Sequence, residues 1–176
     1  MSQLAVPRIL AVEDDPFVRT DLRLVLESAG FDVCADARDG LEAVELAREH
    51  APDAILLDLA LPRLDGIEAT RRILAERSVP IVALTGRSRT LAAEAVEAGA
   101  SSYVLKPFVE SELVGALFDA LAAHAEALEA AVRAQSREAI EHMLRALGYA
   151  EEWAVELERR AFAAGRVWRI VERDAG

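Results

Sequence analysis

Five short apolar runs, separated by longer helix-like stretches, constrain the fold of this chain more than any other feature. Parallel strands need a crossover helix between them, so a regular alternation of strand and helix predicts a mostly parallel sheet. Four of the five runs are apolar throughout, as expected for strands that helices cover on both faces, and the second contains one charged residue, Asp32. The sequence therefore predicts a doubly wound α/β domain. The five predicted strands are Ile9–Val12, Phe31–Ala35, Ala54–Leu57, Ile81–Leu84 and Tyr103–Leu105.

Glycines and prolines lie where this alternation needs helices to end. Gly30 and Gly99 each stand just before a predicted strand, in the position of a helix C-terminal cap. Pro52 and Pro80 precede the third and fourth strands, and Pro62 keeps the segment after the third strand from becoming helical. These positions support the same βα alternation.

The C-terminal third has a different pattern. Residues 109–147 contain no proline and one glycine, Gly115, which predicts that the fifth helix continues beyond the first domain. We predict an α/β domain over residues 1–122 and an all-helical extension over residues 123–176. A weak heptad pattern predicts either a two-stranded coiled coil, and hence a homodimer through the fifth helix and tail, or packing along the chain's own domain. The pattern consists of Leu117, Leu121, His124, Leu128 and Ala131.

Composition excludes several classes of protein. The chain has 20 basic and 31 acidic residues and a net charge of −11, which argues against a DNA-binding protein. Its single cysteine, Cys34, excludes an intrachain disulfide. No stretch approaches the roughly 20 apolar residues of a membrane span. We therefore expect a cytoplasmic protein that makes no contact with the membrane.

Polar residues follow the apolar runs, at the point where each predicted strand ends. A sheet order of 2-1-3-4-5 would place strands one and three side by side, so three carboxylates would share one edge of the sheet. Three carboxylates so near one another repel each other unless a cation neutralises part of their charge. A set of ligands made only of oxygen atoms favours Mg²⁺ as that cation. The residues at the strand ends are Glu13, Asp14, Asp58, Thr85 and Lys106.

Lys106 is the only lysine in the sequence, which otherwise uses arginine. A compact ammonium on a flexible stem suits contact with a phosphate and a carboxylate. Pro107 follows it, so the Lys106–Pro107 peptide bond is a candidate for the cis form. Asp58 offers a carboxylate nucleophile that can form an acyl phosphate, and the hydroxyl of Thr85 can donate to a phosphoryl oxygen.

These motifs resemble the receiver domain of bacterial two-component response regulators, a flavodoxin-like (βα)5 fold. The resemblance implies that Asp58 accepts phosphate from a histidine kinase or a phosphotransfer protein. It further implies that Asp14 binds Mg²⁺ directly, Glu13 binds it through water and the backbone carbonyl of Ala60 completes the ligands. The motifs are Ile-Leu-Ala-Val-Glu13-Asp14-Asp15-Pro16, Ile-Leu-Leu-Asp58-Leu-Ala-Leu-Pro62-Arg-Leu-Asp65-Gly66, Ala-Leu-Thr85-Gly86 and Tyr103-Val-Leu-Lys106-Pro107-Phe108.

The resemblance also implies a switch. Thr85 would move toward the phosphoryl group and the ring of Tyr103 would turn inward, which reshapes the face formed by helix four, strand five and helix five. Two other classes share a similar layout. An aspartyl-phosphate hydrolase needs a second acid where Ala60 stands, and a flavodoxin-like electron carrier needs a phosphate loop where the acidic pair stands. We therefore expect a signalling switch, not an enzyme.

The tail leaves three alternatives for the output. The first is a helical segment that binds protein or dimerises. The second is an RNA-binding antiterminator, because residues 148–161 resemble part of the ANTAR module that often follows receivers. The third is a phosphotransfer histidine at His142. Nothing in the tail resembles a helix-turn-helix with a basic recognition helix, so DNA is not an expected partner.

Overall fold

The computed structural model describes residues 6–86 and 89–146. Five parallel strands form one sheet in the order β2-β1-β3-β4-β5, so the predicted doubly wound fold is confirmed. The strands are β1 (Arg8–Val12), β2 (Asp32–Ala37), β3 (Ala54–Asp58), β4 (Ile81–Gly86) and β5 (Ser102–Lys106). The helices are α1 (Pro16–Ser28), α2 (Gly40–His50), α3 (Gly66–Glu76), α4 (Arg89–Glu97) and α5 (Glu110–Ala146).

Three helices begin at an aspartate whose side chain accepts backbone N–H groups of the first turn. These N-caps are Asp15 of α1, Asp39 of α2 and Asp65 of α3. At the other ends of helices α1 and α4, Gly30 and Gly99 have φ values of 90° and 108°. Positive φ values of this kind are sterically unfavourable for residues that have a Cβ atom, which explains why glycine occupies both positions.

Helices cover the sheet on both faces, and successive residues of the central strand β1 point to opposite sides. Leu10 and Val12 belong to the same hydrophobic cluster as residues of α2, α3 and α4, whereas Ile9 and Ala11 belong to the cluster that contains residues of α1 and α5. All four side chains are fully buried. Burial on both faces is the physical reason that the strands read as continuous apolar runs in the sequence.

The chain divides into two compact units, Met1–His124 and Ala125–Gly176. Helix α5 extends from Glu110 to Ala146. The segment that resembles an ANTAR module, residues 148–161, lies outside the described residues, and so does the side chain of His142. Among residues 6–86 and 89–146, no helix combines the length and the apolar character needed to cross a bilayer.

Candidate functional site

Strands β1 and β3 are neighbours, so their carboxyl ends bring three acidic side chains together. Glu13, Asp14 and Asp58 each offer a carboxylate oxygen, and these oxygens lie within 4.8 Å of one another. Glu13 and Asp58 are only 2% and 4% exposed, whereas Asp14 is exposed to solvent. Two buried carboxylates beside an exposed one form an open, all-oxygen set of ligands, which suits a hard divalent cation.

The ammonium group of Lys106 lies between the two buried carboxylates. Its Nζ donates to Glu13 Oε2 at 2.6 Å and to Asp58 Oδ2 at 2.8 Å. Lys106 is the last residue of β5, and the peptide bond that joins it to Pro107 is cis. The ammonium therefore offsets part of the negative charge at this edge of the sheet.

Burial and charge shift the protonation of two groups in the site. Burial has the largest effect on Glu13 and raises the pKa of its carboxyl above the ordinary value; the charge of Asp58 acts in the same direction, and the hydrogen bond from Lys106 opposes both. Burial also disfavours the charged form of Lys106, but contacts with Asp58 and Glu13 outweigh it and raise the pKa of the ammonium. Lys106 therefore stays charged at neutral pH.

The remaining residues singled out by the sequence lie on β4, on β5 and in the segment after β3. Thr85, at 1% exposure, donates its hydroxyl to the carbonyl of Gly86 at 2.9 Å. Tyr103 on β5 is 44% exposed. The backbone N–H of Ala60 donates to Asp58 Oδ1 at 3.2 Å. The role of the Ala60 carbonyl as a metal ligand stays a prediction.

Sequence reasoning missed Arg19, one turn into α1. Its guanidinium donates to the backbone carbonyls of Glu13 at 2.5 Å and Asp14 at 3.2 Å. Arg19 thereby fixes the segment that carries both acids. The signal in the sequence was a cation shortly after the acidic pair, but a helical arginine is usually a solvated surface residue, and the pattern alone does not distinguish the two.

Gly66 is a second residue whose role depends on the fold. A Cβ at this position would lie 2.4 Å from the carbonyl oxygen of Asp58 and 2.6 Å from Cα of Leu59. Both contacts are with backbone, which cannot move aside as a flexible side chain does. Only glycine lets α3 begin this close to the end of β3.

Comparison with known families fits this geometry. The family model for the response regulator receiver domain matches residues 9–118, which is more than half of the chain. The chain belongs to this family. Receiver domains act in two-component signalling and not as conventional enzymes, and the triad of Glu13, Asp14 and Asp58 is the typical acidic magnesium site of these domains.

Among the curated proteins that match the receiver domain are two mycobacterial regulators. Transcriptional regulatory protein PdtaR of Mycobacterium tuberculosis is 45% identical over 115 residues, which cover 64% of this chain and 56% of PdtaR. DNA-binding response regulator MtrA of Mycolicibacterium smegmatis is 45% identical over 108 residues, which cover 61% of this chain and 47% of MtrA. The matched region spans about half the length of these relatives, so their outputs do not transfer to this chain.

Two solved structures resemble the receiver domain closely. A two-component response regulator of the LuxR family from Aurantimonas sp. has a TM-score of 0.65 and 41% identity, covering 68% of this chain and 87% of its own. The receiver domain of the sensor histidine kinase PA1611 from Pseudomonas aeruginosa has a TM-score of 0.62 and 40% identity, covering 67% of this chain and 99% of its own. The latter structure has a magnesium ion coordinated in its active site cleft.

Proposed function

We propose that this chain is a phosphorylation-dependent switch in which Asp58 accepts a phosphoryl group from a histidine kinase or a phosphotransfer protein. The observation that supports it best is the contact of the Asp58 carboxylate with Lys106 beside two further acids. In the transfer, an oxygen of Asp58 forms a bond to phosphorus, and the bond between phosphorus and the donor's imidazole nitrogen breaks. The product is an acyl phosphate.

The metal that suits this donor set best is Mg²⁺, held directly by the carboxylates of Asp14 and Asp58 and the backbone carbonyl of Ala60, and through water by Glu13. When bound, Mg²⁺ supplies positive charge that offsets the carboxylates and the phosphoryl oxygens. Asp14 is the exposed member of the triad and is therefore open to an arriving ion. The magnesium-bound PA1611 receiver supports the same choice of metal.

Lys106 and Thr85 are the groups that would respond to the new phosphoryl group. The ammonium of Lys106 donates to two carboxylates in this structure. Once Asp58 is phosphorylated, the ammonium would contact an anionic oxygen of the phosphoryl group. The hydroxyl of Thr85, now donated to the carbonyl of Gly86, would turn toward a phosphoryl oxygen. The half-exposed ring of Tyr103 would then move inward and change the face formed by α4, β5 and α5.

The test of phosphorylation is the intact mass of the full chain after incubation with acetyl phosphate and Mg²⁺. We expect one added phosphoryl group, no adduct in Asp58→Asn and no adduct when the metal is chelated. Asp53→Asn is a matched control, because Asp53 lies outside the acidic site, where it accepts the backbone N–H of Arg8, and this variant should be labelled normally. An adduct that persists in Asp58→Asn would overturn the proposal.

For the output, we propose that α5 and the tail bind a second copy of the chain. Leu117 is fully buried in the receiver core, so the heptad pattern is available for a partner only from Leu121 onward. Leu121 and His124 are partly buried, and Leu128 and Ala131 are exposed. An exposed leucine that continues a heptad pattern favours helix pairing.

Sedimentation of the full chain tests this pairing. We expect a dimer whose dissociation constant rises about tenfold in Leu128→Gln, since a polar residue in a coiled-coil seam destabilises the pairing and about 1.4 kcal/mol corresponds to a factor of ten. Glu129→Gln, which changes an adjacent exposed residue outside the pattern, is the control. A chain that is monomeric at all concentrations would exclude homodimerisation. An RNA output through residues 148–161 stays an alternative prediction, tested by RNA binding of the same samples.

A further inference from the structure

The segment that follows the phosphoacceptor, residues 59–65, is fixed at its base by backbone hydrogen bonds. The N–H of Gly66 donates to the carbonyl of Leu59 at 3.1 Å, and the N–H of Leu59 donates to the carbonyl of Leu84 at 2.9 Å. Ala60, within this segment, donates its N–H to Asp58 Oδ1. The conformation of the segment therefore sets the orientation of the reactive carboxylate.

The tip of the same segment has an unfavourable backbone conformation. Arg63 has a φ of 64°, and the N–H of Leu64 donates to the carbonyl of Pro62 at 2.7 Å. This three-residue turn with positive φ is rare and strained, and a long side chain at its centre is unusual. Strain of this kind persists only where the surrounding structure holds it in place.

An ion pair holds this turn against α2. Nε of Arg63 lies 3.2 Å from Oδ2 of Asp39, whose side chain is only 4% exposed. The other oxygen of Asp39 caps α2 by accepting the N–H groups of Leu41 and Glu42, both at 3.0 Å. Asp39 therefore uses one oxygen for its own helix and the other for the segment after Asp58.

The backbone packs as closely as the side chains. A Cβ on Gly40, next to Asp39, would lie 2.1 Å from the carbonyl oxygen of Leu64. Ala37, two residues before Asp39, accepts the backbone N–H of Glu13 at 3.0 Å. The end of β2 and the start of α2 thus contact both the segment that carries Glu13 and the segment that follows Asp58.

We propose that Asp39 and Arg63 are positioning residues that hold residues 59–65 in the conformation needed for metal and phosphoryl binding at Asp58. Neither residue touches the reacting atoms; both act through the orientation of Ala60 and Asp58. The proposal rests on the phosphorylation of Asp58 proposed above and adds two residues outside its ligand set. It also explains why an arginine occupies a backbone position that favours glycine or asparagine.

Four substitutions separate the ion pair from the other roles of these residues. Arg63→Asn removes the guanidinium but tolerates positive φ, and Arg63→Gly also relieves the strain. Asp39→Asn removes the charge but keeps a good N-cap. Arg63→Lys is the conservative variant, since its ammonium retains a charge that can reach Asp39.

The measurement is the affinity of the full chain for Mg²⁺, obtained from an NMR titration in which the amide signal of Ala60 is monitored. We expect Arg63→Asn, Arg63→Gly and Asp39→Asn each to weaken binding by about tenfold, the lower end of the effect of partners outside the ligand shell. Arg63→Lys should recover part of the loss. The double variant of Arg63→Asn with Asp39→Asn should be no weaker than either single variant, because one interaction is removed in each case.

An ion pair between α2 and α3, away from residues 59–65, provides the control. Arg48 of α2 lies 2.6 Å from Glu76 of α3, and both are exposed, as Arg63 is. Arg48→Gln should leave Mg²⁺ affinity unchanged. The proposal would be overturned if the Mg²⁺ affinity of Arg63→Asn stayed within about twofold of that of the unmodified chain. It would also be overturned if Arg63→Gly bound Mg²⁺ more tightly than the unmodified chain. If the unmodified chain binds Mg²⁺ but is never phosphorylated, the proposed function fails while the positioning role is still decided by the affinities.

Discussion

Replacement of Lys106 by methionine should destabilise the metal-free receiver strongly. The ammonium is the partner of two carboxylates, at 2.6 and 2.8 Å, whose residues are only 2% and 4% exposed. Removing one partner from such a buried arrangement costs about 3–5 kcal/mol. Because a quarter of the Lys106 side chain reaches solvent, we expect the lower end, about 3 kcal/mol, or roughly 10 °C in melting temperature.

Urea denaturation followed by circular dichroism in a chelating buffer measures this loss. The matched control is Lys106→Met in an Asp58→Asn background, where only Glu13 remains as a charged partner. We expect the loss there to fall to about 1 kcal/mol, since the repulsion between two buried carboxylates is gone. Added Mg²⁺ should also reduce the loss, because a bound cation replaces the missing charge. An equal loss in both backgrounds would refute the electrostatic explanation.

Three further predictions concern individual residues. Mg²⁺ affinity should fall as the pH is lowered into the range where Glu13 takes up a proton, because burial raises the pKa of that carboxyl and its proton competes with the metal; titration calorimetry in Glu13→Gln should show a weaker pH dependence. Gly66→Ala should cost about 3 kcal/mol in unfolding free energy through its clash with the backbone of Asp58, whereas Gly115→Ala, with open space around it, should stabilise α5 by about 1 kcal/mol. Ala51→Gly should raise stability by about 0.5–1 kcal/mol in a thermal melt, because Ala51 has a φ of 45°, and unchanged stability would contradict this.

The sheet could be predicted because burial on both faces leaves a direct trace in the sequence. An apolar run such as Ile81–Leu84 has no polar residue that could face solvent. It therefore predicts both a buried strand and a sheet covered by helices on both faces. The second strand was predicted less well: it begins at Asp32 and ends at Ala37, later than the apolar run Phe31–Ala35. Asp36 within it lies against Arg23 of α1, so a charged residue interrupts the pattern where an ion pair offsets it.

The acidic site could be predicted because each member follows a strand, and strand order alone brings the strand ends together. The contacts that position the site could not. Arg19 and Arg63 bind backbone carbonyls and a distant aspartate through contacts that depend on loop conformation, and the sequence spacing of these partners has no periodicity. Residues 148–161 lie outside the described part of the chain, so their proposed role stays a prediction.

The central claim is that Asp58 carries the phosphoryl group, and the most direct test locates it. Borohydride reduction of the acetyl phosphate-treated chain converts an aspartyl phosphate into homoserine, and peptide mass spectrometry then identifies the position. We predict homoserine at position 58 alone, formed only when Mg²⁺ is present. Homoserine at position 14 or 15, or none at any position in a chain that gained phosphate mass, would contradict it.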